Sequence, residues 1–201
     1  QIMQSIKAIL DVREITARPG QTVLQAARDN GMYIPALCDH PALSPFGACR
    51  VCLVEVEKNP KLLPACTTPL VEGMVIASRS PKVQEARRAV VELILVRHPL
   101  DCFSCPSNGK CELQNVAYEL GITESRFRED VDVQKGEHKL EDANPFYVRD
   151  MDKCILCGRC VRTCDELARY YAIDFQQRGV KTMVHPPIGK DLEHSDCVFC
   201  G

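Results

Sequence analysis

Four cysteines fall within residues 154–164, in the order Cys154-Ile155-Leu156-Cys157-Gly158-Arg159-Cys160-Val161-Arg162-Thr163-Cys164. No other stretch limits the fold as tightly, because a C-x2-C-x2-C-x3-C run has few chemical uses. Three thiolates two residues apart can wrap one [4Fe–4S] cube in a tight loop, and the fourth, after a longer step, is turned towards a different cluster. A zinc knuckle is the competing use, but zinc sites are usually built from two separated C-x2-C pairs. The run therefore predicts one cubane held by Cys154, Cys157 and Cys160, with Cys164 lent to a second. Gly158 is expected to keep bulk off the cluster-facing backbone.

The rest of the composition agrees with metal-stapled modules. The chain has 13 cysteines, no tryptophan and only 5% aromatics in 201 residues. Small domains so poor in aromatics need other staples, and metal binding contributes directly to folding. An odd cysteine count argues against a pure disulfide framework. The C-x2-C groupings point to thiolates kept reduced, hence to the cytoplasm. Lys+Arg is 25 against 27 for Asp+Glu, and without a basic run nucleic acid is not an expected partner. No apolar stretch approaches the ~20 residues of a membrane span. No signal peptide is visible, and a chain that opens at Gln1 is expected to have its true start upstream.

The first eighty residues carry a second cysteine set. Ile6, Ala8 and Leu10 alternate with Lys7 and Ile9 as a strand, Asp11-Val12 allows a reversal, and Glu14–Ala17 is the returning strand. Pro19-Gly20 is a turn. Thr22 with Gln25 three residues on is a capping-box signal for a helix with Val23, Leu24, Ala26 and Ala27 on its apolar face, ended by Asn30-Gly31. Val51–Val56 and Met74–Ala77 are further strands, with a turn at Asn59-Pro60. This order predicts a small β-grasp domain with a cysteine-bearing loop after its helix. Cys38, Cys49, Cys52 and Cys66 are spaced C-x10-C-x2-C-x13-C. Four thiolates on one small domain suit a [2Fe–2S] rhomb, where each iron takes two sulfurs, and Gly47-Ala48 and Arg50 leave room around the middle pair. A zinc site or buried free cysteines are the alternatives. Nearby His40 is read as a loop hydrogen-bonding residue.

Ser80-Pro81 is an N-cap with proline at the first helical position. The following helix is expected to bury Val83, Ala86, Val90 and Ile94 and to leave Lys82, Glu85, Arg88 and Glu92 in solvent. Pro99 stops it with His98 at its end. From there runs His98-x3-Cys102-x2-Cys105-x5-Cys111. Three cysteines lacking a nearby fourth, headed by an imidazole, predict a [4Fe–4S] cluster on His98, Cys102, Cys105 and Cys111; a helix cap or core residue is the plainer use of such a histidine. A short helix with Leu113, Val116, Ala117 and Leu120 follows, ended by Gly121. Ile122–Phe146 reads as a long charged connection. Beyond the cubane run, Val161, Leu167 and Ala168 suggest a helix, and Ala172–Gln176 with Val180–Val184 a hairpin. Cys197-Val198-Phe199-Cys200 then repeats the first step of the run, so Cys164, Cys197 and Cys200 are three candidate ligands of a second cubane. The remaining ligand of each cube is expected beyond Gly201: a cysteine two residues further on, and another four residues after that. Asp165 stands where the bacterial ferredoxin run has proline, which removes no ligand.

Over nearly its whole length the chain resembles the N-terminal iron–sulfur region shared by the 75 kDa-type subunit of respiratory complex I, iron-only hydrogenases, NAD(P)-linked formate dehydrogenase α subunits and the small diaphorase subunit of bidirectional hydrogenases. The residues that carry this are Cys38, then Gly47-Ala48-Cys49-Arg50-Val51-Cys52-Leu53-Val54-Glu55-Val56, His98-Pro99-Leu100-Asp101-Cys102, Cys111-Glu112-Leu113-Gln114 and the Cys154–Cys164 run. The resemblance implies an α+β architecture: a β-grasp [2Fe–2S] domain (1–80), a small helical His/Cys3 domain (81–121) and a two-cluster ferredoxin-like domain (122–201), incomplete at its C-terminal end. It implies the same ligand sets and two cubanes in the last domain. The paired run is closer to the hydrogenase and formate dehydrogenase branches than to complex I.

No G-x-G-x-x-G and no P-loop occur among the 11 glycines, so neither a nicotinamide nor a flavin site is expected in this chain. The expected function is an electron relay within a multi-subunit NAD(P)-linked oxidoreductase, between a flavin/NAD(P)-binding subunit and a catalytic subunit acting on hydrogen, formate or quinone. A diffusing ferredoxin and a structural zinc module are the competing readings. The near-neutral charge favours a fixed subunit over a diffusing carrier.

Overall fold

The structure, a computed structural model, describes residues 5–128, 140–141, 145, 148–187 and 190–200. Its first unit grows from the hairpin of β1 (Ile6–Leu10) and β2 (Arg13–Ala17), with Ile6 opposite Ala17 and Leu10 opposite Arg13. The period-two pattern holds: Ala8, Leu10, Ile15 and Ala17 are buried. Asp11 and Val12 make the reversal at φ 46° and 67°, the left-handed pair that matches strand twist in a two-residue hairpin. A β-branched residue is a strained choice there, and Val12 is 97% exposed. The Asp11 carboxylate accepts hydrogen bonds from the Ser78 amide at 2.7 Å and the Ser78 hydroxyl, tying the hairpin tip to the end of β5 (Val75–Ala77).

β5 runs parallel to β1 and antiparallel to β3 (Leu53–Val56), giving the order β2-β1-β5-β3-β4. This is the β-grasp arrangement. The short edge strand β4 (Leu63–Pro64) leaves no periodic signal, since two residues carry none. Across the sheet lies α1 (Val23–Asp29). Its capping box is complete: Thr22 Oγ1 accepts from the Gln25 amide at 3.2 Å, and Gln25 Oε1 accepts from the Thr22 amide at 3.0 Å. Val23, Leu24, Ala26 and Ala27 enter one core with Ile15, Val54 and Ile76.

A second core joins this unit to the rest of the chain. It contains Leu37 and Val51 from the cysteine loop, Val91 and Leu95 from α2 (Pro81–Arg97), and Leu113, Val116 and Ala117 from α3 (Glu112–Glu119). The buried stripe of α2 is Val83, Arg87, Val91 and Leu95, one position round from the expected one; Ala86, Val90 and Ile94 are half-buried. The displacement has a polar cause. Arg87, 2% exposed, donates from Nε to the Val51 carbonyl at 2.8 Å and from Nη2 to those of Leu53 and Ser78 at 3.0 and 3.2 Å. Glu92, expected in solvent, is fully buried and pairs with Arg88 at 3.3 Å and Arg126 at 2.7 Å. Burying a carboxylate is costly unless it is paired, and these two arginines supply the pairing.

Within the cubane run, α4 (Arg159–Arg162) continues into a π-helical turn over Thr163–Ala168. The hairpin follows as β6 (Asp174–Gln176) and β7 (Met183–His185), Phe175 opposite Val184. Arg97 at the end of α2 donates to the Thr182 carbonyl at 2.9 Å, holding the hairpin to the central helix. Most of the long connection expected at Ile122–Phe146 lies outside the described residues. Among the described residues no helix is long and apolar enough to cross a membrane.

Candidate iron–sulfur sites

The loop between α1 and β3 brings Cys38, Cys49 and Cys52 beside Cys66, which follows β4. Cys38, Cys52 and Cys66 are buried and Cys49 is half-buried. Their thiols form a chain of hydrogen-bonding contacts, Cys49 with Cys38, Cys38 with Cys66 and Cys66 with Cys52. The Cys49 and Cys66 thiols donate to Cys38 and hold its pKa well below the usual thiol range, the Cys49 contact being the larger cause; a hydrogen bond from Cys66 lowers Cys52. Cys49 and Cys66 are correspondingly raised, each chiefly by its hydrogen bond with Cys38. Backbone also serves the site, since the Cys49 amide donates to Cys38 Sγ at 3.5 Å. Four soft donors, linked in a chain of sulfur contacts and three of them buried, fit a thiolate-bound iron cluster. Gly47 sits at φ 68°, and a Cβ there would meet Thr67 Cγ2 at 3.2 Å. His40 behaves as read: its Nδ1 accepts from the Ala42 amide at 3.2 Å within the loop.

The second set shares one cavity. His98, Cys102, Cys105 and Cys111 line a space of ≈ 240 Å³ whose walls include Leu37, Leu113 and Ile155. His98 is the C-cap of α2, extended at φ −76° and ψ 133° as a residue before proline must be. Its Nδ1 lies 2.7 Å from the Pro99 carbonyl oxygen. A carbonyl only accepts, so Nδ1 carries a proton, and the neutral ring has its lone pair on Nε2. This is the arrangement by which metal-bound histidines are oriented. Gln114, whose role no spacing or periodicity signals, braces the cysteine loop: its Oε1 accepts from the Gly109 amide at 3.0 Å and its Nε2 donates to Asn108 Oδ1 at 2.9 Å. Donor set, tautomer and cavity fit a His/Cys3 cubane.

In the third region Cys154, Cys157 and Cys160 lie close enough to interact electrostatically. Burial, the largest cause, and the neighbouring sulfurs push the Cys154 and Cys160 thiols up. The two C-x2-C steps share a local geometry. Leu156 and Phe199 both adopt left-handed φ, 53° and 51°. The Leu156 amide donates to Cys154 Sγ, and the Phe199 amide to Cys197 Sγ, at 3.4 Å in each case. Cys164 Sγ accepts from the Ala172 amide at 3.2 Å. Gly158 is also constrained by side chains outside the run. At φ 71° it is left-handed, and a Cβ would meet Phe175 Cζ at 3.1 Å and Phe46 Cε1 at 3.4 Å. Interdomain packing and backbone conformation require the glycine. Among the described residues no group of three or more His, Cys, Asp or Glu forms a site for a single metal ion.

The segments converge. Cys49, Cys111 and Ile155, one from each cysteine region, pack against the second core. The Ser44 amide donates to Glu166 Oε2 at 2.7 Å, and Arg159 Nη1 meets Glu112 Oε2 at 2.8 Å.

This fold and these thiol-rich sites define an iron–sulfur protein with a β-grasp [2Fe–2S] unit followed by [4Fe–4S] units. Residues 4–81 match the 2Fe-2S iron-sulfur cluster binding domain, 87–126 the NADH-ubiquinone oxidoreductase-G iron-sulfur binding region, and 144–197 the ferredoxin-like domain of NADH-quinone oxidoreductase subunit 3. The second G-type subunit of NADH-quinone oxidoreductase from Rhizobium meliloti is 36% identical over 98% of this chain and 22% of its own length. The NADP-reducing hydrogenase subunit HndD of Solidesulfovibrio fructosivorans is 37% identical over 99% of this chain and 34% of its own. A chain in the crystal structure of an NAD+-reducing [NiFe]-hydrogenase in the H2-reduced state superposes with a TM-score of 0.83 at 32% identity, covering 96% of this chain and 80% of that one. The chain belongs to this family of iron–sulfur electron-transfer proteins and carries domains that bind [2Fe–2S] and [4Fe–4S] clusters. It spans between a fifth and about a third of the curated relatives' lengths.

Proposed function

We propose that this chain is the electron relay of an NAD(P)-linked oxidoreductase complex. Cys38, Cys49, Cys52 and Cys66 hold the [2Fe–2S] cluster, and His98, Cys102, Cys105 and Cys111 a [4Fe–4S] cluster. Cys154, Cys157 and Cys160 belong to a second cubane, and Cys164, Cys197 and Cys200 to a third. The corresponding domains are 1–80, 81–121 and 122–201. Such clusters supply one-electron chemistry over a wide span of potentials.

The chain's own residues position these centres and keep water from between them. Leu37, Val51 and Leu113 belong to one buried core against which Cys49 of the first set and Cys111 of the second both pack. His98 Nε2 replaces a thiolate with a neutral donor, which lowers the charge of the ligand set and favours a higher potential. The observation that carries the proposal is the shared second core, with Cys49, Cys111 and Ile155 at its rim.

A flavin-bearing partner would split the hydride pair of NAD(P)H into single electrons. At the far end stands a hydrogenase- or formate dehydrogenase-type catalytic subunit; the named activities of the hydrogenase relatives support the first. Thirteen unpaired cysteines suit a reducing compartment, the cytoplasm. Iron, acid-labile sulfide and zinc analysis of anaerobically purified protein, with EPR after dithionite reduction, tests the reading. Brown protein with both [2Fe–2S] and [4Fe–4S] signals is expected, and stoichiometric zinc without sulfide would overturn it.

A further inference from the structure

Helix α4 carries two arginines one turn apart within the cubane run, and both reach out of their own segment. Arg162, 7% exposed, donates from Nη2 to the Cys38 carbonyl and from Nη1 to the Ser44 carbonyl at 2.6 Å. Its guanidinium lies 5.1 Å from the centroid of the Phe46 ring. Arg159 donates to the Asp39 carbonyl at 2.9 Å, pairs with the Glu112 carboxylate at 2.8 Å and lines the cavity of the His98 set. Thus Arg162 is fastened to the backbone of a [2Fe–2S] ligand, and Arg159 to the residues that follow Cys38 and Cys111, beside the cavity of the His98 set.

Hydrogen bonding alone does not explain cations here. The Nε of each arginine is buried and lacks a hydrogen-bond partner among the described residues. Taking the Arg162 guanidinium out of water is costly, and its two donors to carbonyls offset only part of that cost; Arg159 is partly exposed and shares its charge with Glu112. A buried positive charge does something that a neutral amide cannot. A centre that accepts one electron gains one negative charge, and a nearby fixed cation stabilises that charge in a low-dielectric site.

Resting on the ligand sets proposed above, we propose that Arg162 and Arg159 are positioning residues. They fasten the cubane segment to the other two centres and separately raise the potentials of those centres, Arg162 for the Cys38 set and Arg159 for the His98 set. The two assignments are crossed, so a general loosening of the fold would not reproduce them.

The test is a mediated EPR redox titration of the anaerobic, cluster-loaded chain, with the His98-set signal assigned by its loss in His98→Ala. In Arg162→Met the reduced fraction of the [2Fe–2S] centre, at the wild-type midpoint poise, is expected to fall in ratio about tenfold. For a one-electron couple this is ~59 mV. The His98-set cubane should stay within about twofold. Arg159→Met should give the reverse pattern. Arg162→Lys and Arg159→Lys keep the charge and lose the fork, and should hold both potentials within about twofold. Should Arg162→Met fail to retain its cluster, Arg162→Gln is read in its place, keeping a donor for the Cys38 carbonyl without the charge. Unmoved potentials in the neutral variants, equal shifts in Lys and Met variants, or both centres moving together would overturn the inference. A wild-type chain without a [2Fe–2S] signal would overturn the ligand assignment itself, before any arginine is changed.

Discussion

Replacing Arg87 by methionine should release the [2Fe–2S] unit from the central helix. The methionine keeps most of the apolar stem and loses three hydrogen bonds, to the carbonyls of Val51, Leu53 and Ser78. Bonds from a charged donor contribute about 1.5–3 kcal/mol each, and orphaned buried carbonyls lose their full solvation. Against this stands the recovered cost of burying the guanidinium, which is large enough to lower the Arg87 pKa, with burial as the leading cause. The balance is a loss of about 3 kcal/mol, at the lower end for breaking a buried charged network. Cluster loss makes unfolding irreversible, so the proper observable is a rate. In anaerobic urea, visible absorbance should bleach on the order of 100-fold faster in Arg87→Met, if these contacts are absent at the barrier. Val51 and Leu53 flank Cys52, so the [2Fe–2S] EPR signal should decay first. Bleaching half-lives within about twofold of each other would refute the reasoning.

Three further outcomes follow from single contacts. His98→Ala should abolish or shift one [4Fe–4S] EPR signal and spare the [2Fe–2S] signal, because the two proposed ligand sets share no residue; an unchanged cubane signal at full iron content would place the ligand elsewhere. Gly158→Ala meets both a left-handed φ of 71° and a 3.1 Å approach to Phe175, a combined cost of about 2 kcal/mol. It should bleach about 30-fold faster in the same assay, with Phe175→Leu in the same chain recovering part of the loss; an unaffected single variant would contradict the packing described. On the surface, the hydrogen bond between His194 and Asp191 raises the first pKa and lowers the second, each chiefly through that bond. The pair is intact between the lowered carboxyl and the raised imidazole: it is lost as pH rises through the His194 value and as it falls through the Asp191 value. The NMR titration midpoint of His194 should lie above 6.5 and return towards it in Asp191→Asn; a wild-type midpoint at or below 6.5 would contradict this.

What is legible in the sequence is local or periodic. Thr22 and Gln25 announce a helix start that the structure completes bond for bond. The alternation of Ala8, Leu10, Ile15 and Ala17 marks the faces of β1 and β2. Cysteine spacing groups the first two candidate sets, and the structure gathers each set in one place. Side chains whose purpose lies far along the chain are not legible in this way. Arg87 and Glu92 carry the polar character of a solvated face, yet both are buried because the carbonyls of Val51, Leu53 and Ser78 and an arginine 34 residues away satisfy them. Arg159 and Arg162 have partners 120 and 124 residues distant, and a backbone carbonyl as acceptor leaves no mark on residue type. Gly158 stands out within the cysteine run, but its constraint comes from Phe46 and Phe175, which sequence proximity does not reveal.

The central claim is that the cysteine regions, gathered on one core, pass electrons within a single chain. Pulse radiolysis of the cluster-loaded protein tests this most directly. One electron is delivered per molecule at low yield, and its redistribution between [2Fe–2S] and [4Fe–4S] centres is followed optically and by freeze-quench EPR. The account predicts a first-order redistribution whose rate does not change with protein concentration. A rate that rises in proportion to concentration would mean that electrons move only between molecules, and would contradict it.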